Sequence, residues 1–147
     1  NCVQISYVQA CESDGEILAE IRVSSMKQSL EAIGRFEPNR ARNRFLDNYE
    51  FQNTTKIYAN NVLVGFYSVS KECGHLYLSH LYVAPVYQGS GIGADAIERI
   101  KALSATSGNT VRLGALRNSP ANQFYLSHGF ELTHEEEWDL YYEWRYC

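Results

Sequence analysis

The sequence has little cysteine, no long apolar run and no block of like charge, and each shortage excludes something. Its four cysteines, Cys2, Cys11, Cys73 and Cys147, are dispersed, with no CxxC and no close Cys/His pairing, so no zinc knuckle or other metal site is indicated. They could form two bridges, but a chain of 147 residues buries enough surface to hold a core without staples, so a reducing, cytoplasmic setting is expected. No uninterrupted apolar stretch approaches the roughly 20 residues of a membrane helix, and the N-terminal residues lack the basic-then-apolar pattern of a secretion signal. A soluble protein with no membrane partner follows. The first residue is Asn1 and not Met, which reads as a trimmed terminus. Thirteen basic side chains against 17 acidic ones give a formal net charge of −4, with no run of five or more like charges, so nucleic acid is not an expected partner.

What is present is a regular alternation of strand and helix patterns. Val3 to Gln9 alternates as a strand, Ser13-Asp14 caps a helical pattern through Ile17, Leu18, Ile21 and Leu30, and that helix breaks near Gly34. Pro38 opens a second helix with Phe45, Leu46 and Tyr49 on its apolar side. Thr55 to Ala59 and Val62 to Ser70 form a hairpin about Asn60-Asn61, a pair tolerant of positive φ. Lys71 to Gly74 turns into a strand from His75 to Val83 that carries large residues on both faces, as a covered central strand does. A helix from Gly91, a strand from Thr110 to Leu116, a helix opened by Ser119-Pro120 and closed by Gly129, and a terminal hairpin complete the order β-αα-βββ-α-β-α-ββ. The chain reads as one mixed α/β domain over residues 1–147, without repeats.

The chemistry concentrates in Gln88-Gly89-Ser90-Gly91-Ile92-Gly93, between the central strand and an amphipathic helix. Glycines let the backbone turn sharply and bring N–H groups to a ligand, and the helix start adds about half a positive charge, so the segment suits phosphate oxygens. A dinucleotide fingerprint also fits Gly91 to Ala96, but it requires an acid about 20 residues on, and no Asp or Glu occurs between Arg99 and Phe130. Arg112 or Arg117 could serve an NADP version, although the loop follows the fourth strand instead of the first. A P-loop fails because no Gly-Lys-Ser/Thr occurs. A diphosphate other than ATP or a nicotinamide cofactor is what remains.

The run Leu81 to Gly93 resembles motif A of the GNAT N-acetyltransferases, (Arg/Gln)-x-x-Gly-x-(Gly/Ala), with Gln88, Gly91 and Gly93 matching. Asn118-x-x-Ala121-x-x-Phe124-Tyr125-x-x-x-Gly129-Phe130 resembles the family's motif B, in the correct order and spacing. The resemblance implies the acyl-CoA N-acyltransferase fold, a mixed and mainly antiparallel sheet of about seven strands with helices on both faces. It also implies acetyl-CoA as cosubstrate and no metal. The amides of Gln88, Gly89, Ser90, Gly91, Ile92 and Gly93 would cradle the coenzyme's diphosphate, its pantetheine arm would lie along Leu81-Tyr82-Val83 and pair with the backbone of Leu81 and Val83, and Asn118 would bond the arm. Tyr125 occupies the family's position for the acid that protonates the leaving thiolate.

Transfer to an amine also needs a neutral nitrogen, and an alkylamine near pKa 10.4 is mostly protonated at pH 7. Tyr77 and Ser79, on alternate residues of the strand before the loop, are not convincing bases; His80 has a suitable pKa but faces the other way unless a bulge re-aims it. Glu31, Glu72 and a water chain are further candidates. The Leu81 N–H would stabilise the oxyanion. His134-Glu135-Glu136-Glu137 could draw a cationic amine or could be a solvated turn, and the aromatic tail from Trp138 to Tyr146 reads as sheet core with a possible homodimer surface. The expectation is therefore an N-acetyltransferase acting on a small-molecule amine or a peptide amino group. A non-catalytic acyl-CoA-binding module and an NADP-binding domain are the alternatives.

Overall fold

The computed structural model describes residues 3–146, so Asn1, Cys2 and Cys147, and the expectations about the native start and about pairing of those two cysteines, lie outside the described residues. Cys11 and Cys73 are free and exposed. The elements follow the sequence pattern closely: β1 (Ile5–Gln9), α1 (Gly15–Ala32), α2 (Pro38–Asp47), β2 (Thr54–Ala59), β3 (Val62–Glu72), β4 (His75–Val83), α3 (Ile92–Leu103), β5 (Thr110–Leu116), α4 (Ala121–Ser127), β6 (Glu131–Glu135) and β7 (Asp139–Arg145). The strands form one seven-stranded sheet in the order β1-β2-β3-β4-β5-β7-β6. The pairs β1–β2, β2–β3, β5–β7 and β6–β7 are antiparallel, whereas β4 and β5, on either side of α3 in the chain, run parallel. Among the described residues no helix is long and apolar enough to cross a membrane.

Local chemistry explains the boundaries. Asn60 and Asn61 both take positive φ (50° and 68°), the geometry of a two-residue turn whose twist matches the flanking strands. Helix α1 ends in a left-handed Gly34 (φ 69°), with the N–H of Arg35 donating to the Leu30 carbonyl at 2.9 Å and that of Gly34 to the Glu31 carbonyl at 3.0 Å. Gly129 (φ 85°) closes α4 in the same way, Phe130 N–H donating to the Tyr125 carbonyl at 3.0 Å. One expectation is corrected: Asp14 does not cap α1 with its side chain. A 3-10 turn, Glu12–Asp14, precedes the helix, and the Asp14 carboxylate instead accepts from the Cys11 N–H at 2.7 Å and pairs with Lys56 at 3.1 Å.

The chain forms two compact units, one running through Ser68 with His80–Gly93 added, the other holding Val69–Ser79 and the residues from Ala94 onward. In the first, α1 and α2 lie together over a core of Leu18, Ala19, Phe45 and Phe66, with Tyr82 packed against it. In the second, β5 and β7 pair along their whole lengths, Thr110 with Arg145 through Leu116 with Asp139, and Val111, Leu113 and Tyr142 are buried. Strand β4 contributes to both units. Leu76 and Leu78 are buried, but Ser79 is exposed and His80 to Val83 are half-buried, so the strand is less covered at its C-terminal end than its apolar run suggests.

Gly65 on β3 fixes that end of β4. A Cβ there would meet the Tyr82 carbonyl oxygen at 2.3 Å, and the Ala84 N–H donates to the Val64 carbonyl at 2.8 Å. Two backbones this close leave no room for a side chain. Gly65→Ala is expected to destabilise the protein by about 3 kcal/mol or more, because backbone and not a side chain must move. Urea unfolding with an unchanged midpoint would show that the approach is slack.

Candidate functional site

The glycine loop extends from β4 through a short 3-10 turn, Pro85–Tyr87, to the start of α3 at Ile92. Gly89 and Gly91 both hold positive φ, 84° and 87°, and a Cβ at either would meet nothing within 4 Å. These glycines are kept for backbone conformation and access, not for packing. The segment from Pro85 to Gly91 is exposed, and the first amides of α3 have no partner within their own helix. Ser90 Oγ donates to the Tyr87 carbonyl at 2.6 Å, which pins the turn between the two glycines. Gln88 is turned back: its Nε2 donates to the Val83 carbonyl at 2.8 Å, and Ser25 Oγ of α1 donates to the same oxygen at 3.2 Å. Loop, strand end and α1 therefore meet on a single acceptor.

Strand β4 pairs with β5 from Leu76 to Leu78, opposite Val111 to Leu113, and its backbone continues to Val83. His80 sits in this continuation, its ring 5.2 Å from that of Phe45 and 5.6 Å from that of Tyr82, with Nδ1 3.3 Å from the Tyr82 hydroxyl. Burial, assisted by the nearby Arg22 charge, lowers its pKa to about 4. His80 is thus neutral at pH 7. Arg22, on α1, donates from Nε to the Tyr82 hydroxyl at 3.4 Å and from Nη1 to the Ala41 carbonyl at 2.5 Å.

Asn118 and Tyr125 belong to the second unit. Asn118 is exposed and left-handed (φ 71°), at the turn after β5, while the cap of α4 comes from Ser119, whose Oγ accepts the Ala121 N–H at 3.1 Å. Tyr125 is 7% exposed, with ring contacts to Phe124, Phe130 and Tyr142. The residue that organises this region, Asn122, went unnoticed in the sequence. Its Nδ2 donates to the carbonyls of Leu116 and Ser119, each at 2.9 Å, and its Oδ1 accepts from the Tyr142 hydroxyl at 2.8 Å. It ties the Asn118 turn to the helix that carries Tyr125. The available signal was its place three residues before Tyr125, on the same face of α4.

The acidic turn is held by Arg117, which reaches the Glu135 carboxylate at 2.9 Å and the Glu136 carbonyl at 2.6 Å. Nearby, Tyr141 stacks on His134 at 4.5 Å and donates to Glu136 at 3.3 Å. Of the aromatic tail only Tyr142 is fully buried; Trp138 and Tyr146, which flank β7 just outside its ends, are exposed. Among the described residues no group of His, Cys, Asp and Glu could hold a metal ion.

The model of the acetyltransferase (GNAT) domain matches residues 52–132, which span β2 through the start of β6. The chain belongs to the GNAT family. It is an acetyl-CoA-dependent acetyltransferase, with the acyltransferase fold its sequence motifs implied. Solved structures agree on the architecture: the PaiA N-acetyltransferase of Thermoplasma acidophilum, in complex with coenzyme A, superposes with a TM-score of 0.81 at 19% identity, covering 97% of this chain and 99% of that one. A GCN5-related N-acetyltransferase from Rhodopseudomonas palustris gives 0.78 at 20% identity over 96% and 95%. Arabidopsis thaliana Naa50, in complex with the bisubstrate analogue CoA-Ac-MVNAL, gives 0.64 at 18% over 98% and 100%. No curated protein sequence matches the GNAT chain.

Two outcomes are expected. Asn122→Ala leaves the buried Tyr142 hydroxyl without this partner and takes a second donor from two carbonyls that keep their backbone donors, and should cost about 1–3 kcal/mol in urea unfolding. Because the folded pKa of His80 lies below its ordinary 6.5, the unfolded chain binds the extra proton between these values, and stability falls as pH drops from 7 toward 4. His80→Gln should remove up to about 3 kcal/mol of that pH dependence; an unchanged acid limb would show that other groups set it.

Proposed function

We propose that the chain acetylates a primary amine, on a small molecule or as an exposed amino group of a peptide, by direct transfer in a ternary complex. The observation that carries this reading is the glycine loop of a GNAT chain, with Gly89 and Gly91 left-handed, exposed and open at the head of α3. The amides from Gln88 to Gly93 hold the diphosphate of acetyl-CoA, and the backbone of Leu81 to Val83 holds the pantetheine arm, with Asn118 contributing a side-chain bond. Bound acetyl-CoA supplies the activated acetyl thioester. The Val83 carbonyl already accepts two side-chain donors, so Leu81 carries the larger part of the backbone pairing, and its N–H serves the oxyanion.

The hydroxyl of Tyr125 donates the proton that the departing thiolate requires. A ring with a pKa of about 4 holds a proton weakly, so we assign His80 the part of a relay to solvent and not of a terminal base. The free thiols of Cys11 and Cys73 support a reducing, cytoplasmic setting. The fold of Naa50, solved with a peptide-bearing bisubstrate analogue, supports keeping peptide amino groups among the acceptors.

Release of free thiol from acetyl-CoA, followed over a panel of amines with mass spectrometry of the products, tests the proposal. The rate should rise about tenfold per pH unit below the acceptor's pKa, as the neutral amine becomes available. Tyr125→Phe should lower kcat about 100-fold with little change in KM or in melting temperature, since its ring contacts remain. A variant as fast as the native enzyme would remove Tyr125 from the acid role, and acetylation of hydroxyls alone would overturn the amine assignment.

A further inference from the structure

Arg22 is a half-buried guanidinium that forms no ion pair among the described residues. Arg42, Arg112 and Arg117 each pair with a glutamate. Arg22 has no carboxylate within ion-pair distance among the described residues, and its own partners, the Tyr82 hydroxyl and the Ala41 carbonyl, are neutral. The other groups on the Tyr82 hydroxyl are neutral too: Met26 accepts from it at 3.5 Å, and the His80 ring, 3.3 Å away, is uncharged at pH 7. Removing a cation from water without a compensating anion is costly, and a guanidinium presents five donors, of which Nε and one Nη hydrogen are used here. The second Nη is left over. The group is held from two sides, by α2 through Ala41 and by β4 through Tyr82, so its direction is set before any ligand arrives.

We propose that Arg22 recognises a carboxylate on the acceptor, so that the preferred substrates are amines that also carry an anionic group. The inference rests on the amine reading above and narrows its substrate class. A planar fork with fixed direction suits a carboxylate better than any neutral group, because both oxygens can accept parallel N–H donors. Its position fits the chemistry: Tyr82, which Arg22 touches, lies between Leu81 and Val83 on the strand assigned to the pantetheine arm. A substrate whose carboxylate is held there has its amine kept beside that strand end. Arg22 acts here as a specificity-determining residue and transfers no proton.

The test compares matched acceptors, free amino acids against their amides, by kcat/KM for thiol release, each divided by the fraction of neutral amine at the assay pH because a neighbouring carboxylate raises the amine's pKa above that of the amide, with the CoA dissociation constant measured alongside. The native enzyme should favour the carboxylate by about 10- to 100-fold, the range of a charge-assisted bidentate contact. Arg22→Met should bring the ratio near one, and Arg22→Lys, which keeps the charge without the fork, should give an intermediate ratio; because each ratio is internal to one protein, partial loss of folding does not mimic the result. Equal use of acids and amides by the native enzyme overturns the inference and leaves amine acetylation standing. So does a preference that survives in Arg22→Met, or weakened CoA binding in that variant with the acceptor ratio unchanged, which would give the charge to the coenzyme. Tight CoA binding with no amine acetylated at all would instead remove the amine reading and this inference with it.

Discussion

A carbonyl oxygen, that of Tyr82, occupies the space that a side chain at residue 65 would need, and the passage from β4 into the glycine loop depends on this close approach. It brings the end of β4 down onto β3, where Ala84 can donate to Val64, and so fixes the direction in which the chain leaves the strand. The 3-10 turn, the left-handed Gly89 and Gly91 and the first residues of α3 follow from that exit. The glycines at 89 and 91 permit a conformation, whereas the one at 65 permits a contact. A glycine-rich loop presents its amides usefully only when the strand feeding it is held still.

The side chains about β4 divide by environment. His80 lies among aromatic rings where burial holds it neutral, while Arg22 donates to two neutral acceptors a short distance away. Tyr82 mediates between them with one hydroxyl that meets Arg22, His80 and Met26. A single polar atom thus organises a region whose other contacts are apolar, and low local polarity makes each of its hydrogen bonds count for more. On the second unit Asn122 has the comparable part, satisfying two carbonyls and a tyrosine hydroxyl at once.

Much of the fold was legible because its punctuation is chemical: paired asparagines for a tight hairpin, glycine at the ends of α1 and α4, proline at the start of α2. Motif A was legible for the same reason, since the left-handed backbone at positions 89 and 91 calls for glycine. What escaped the sequence are contacts between residues far apart in the chain. Nothing local distinguishes Gly65 from any strand glycine, or Arg22 from the other arginines, until α1, α2 and β4 are assembled and a half-buried guanidinium is left with no carboxylate among the described residues. Ser13-Asp14 shows the converse: a plausible cap whose carboxylate was claimed by a lysine on another strand.

The junction at Val83 has one more property. Gln88 from the loop and Ser25 from α1 donate to the same carbonyl oxygen. Such redundancy makes the joint forgiving: if an incoming molecule draws the glutamine amide away, the serine hydroxyl still keeps that oxygen from being orphaned. The glycine loop can therefore shift without unsettling the strand beneath it.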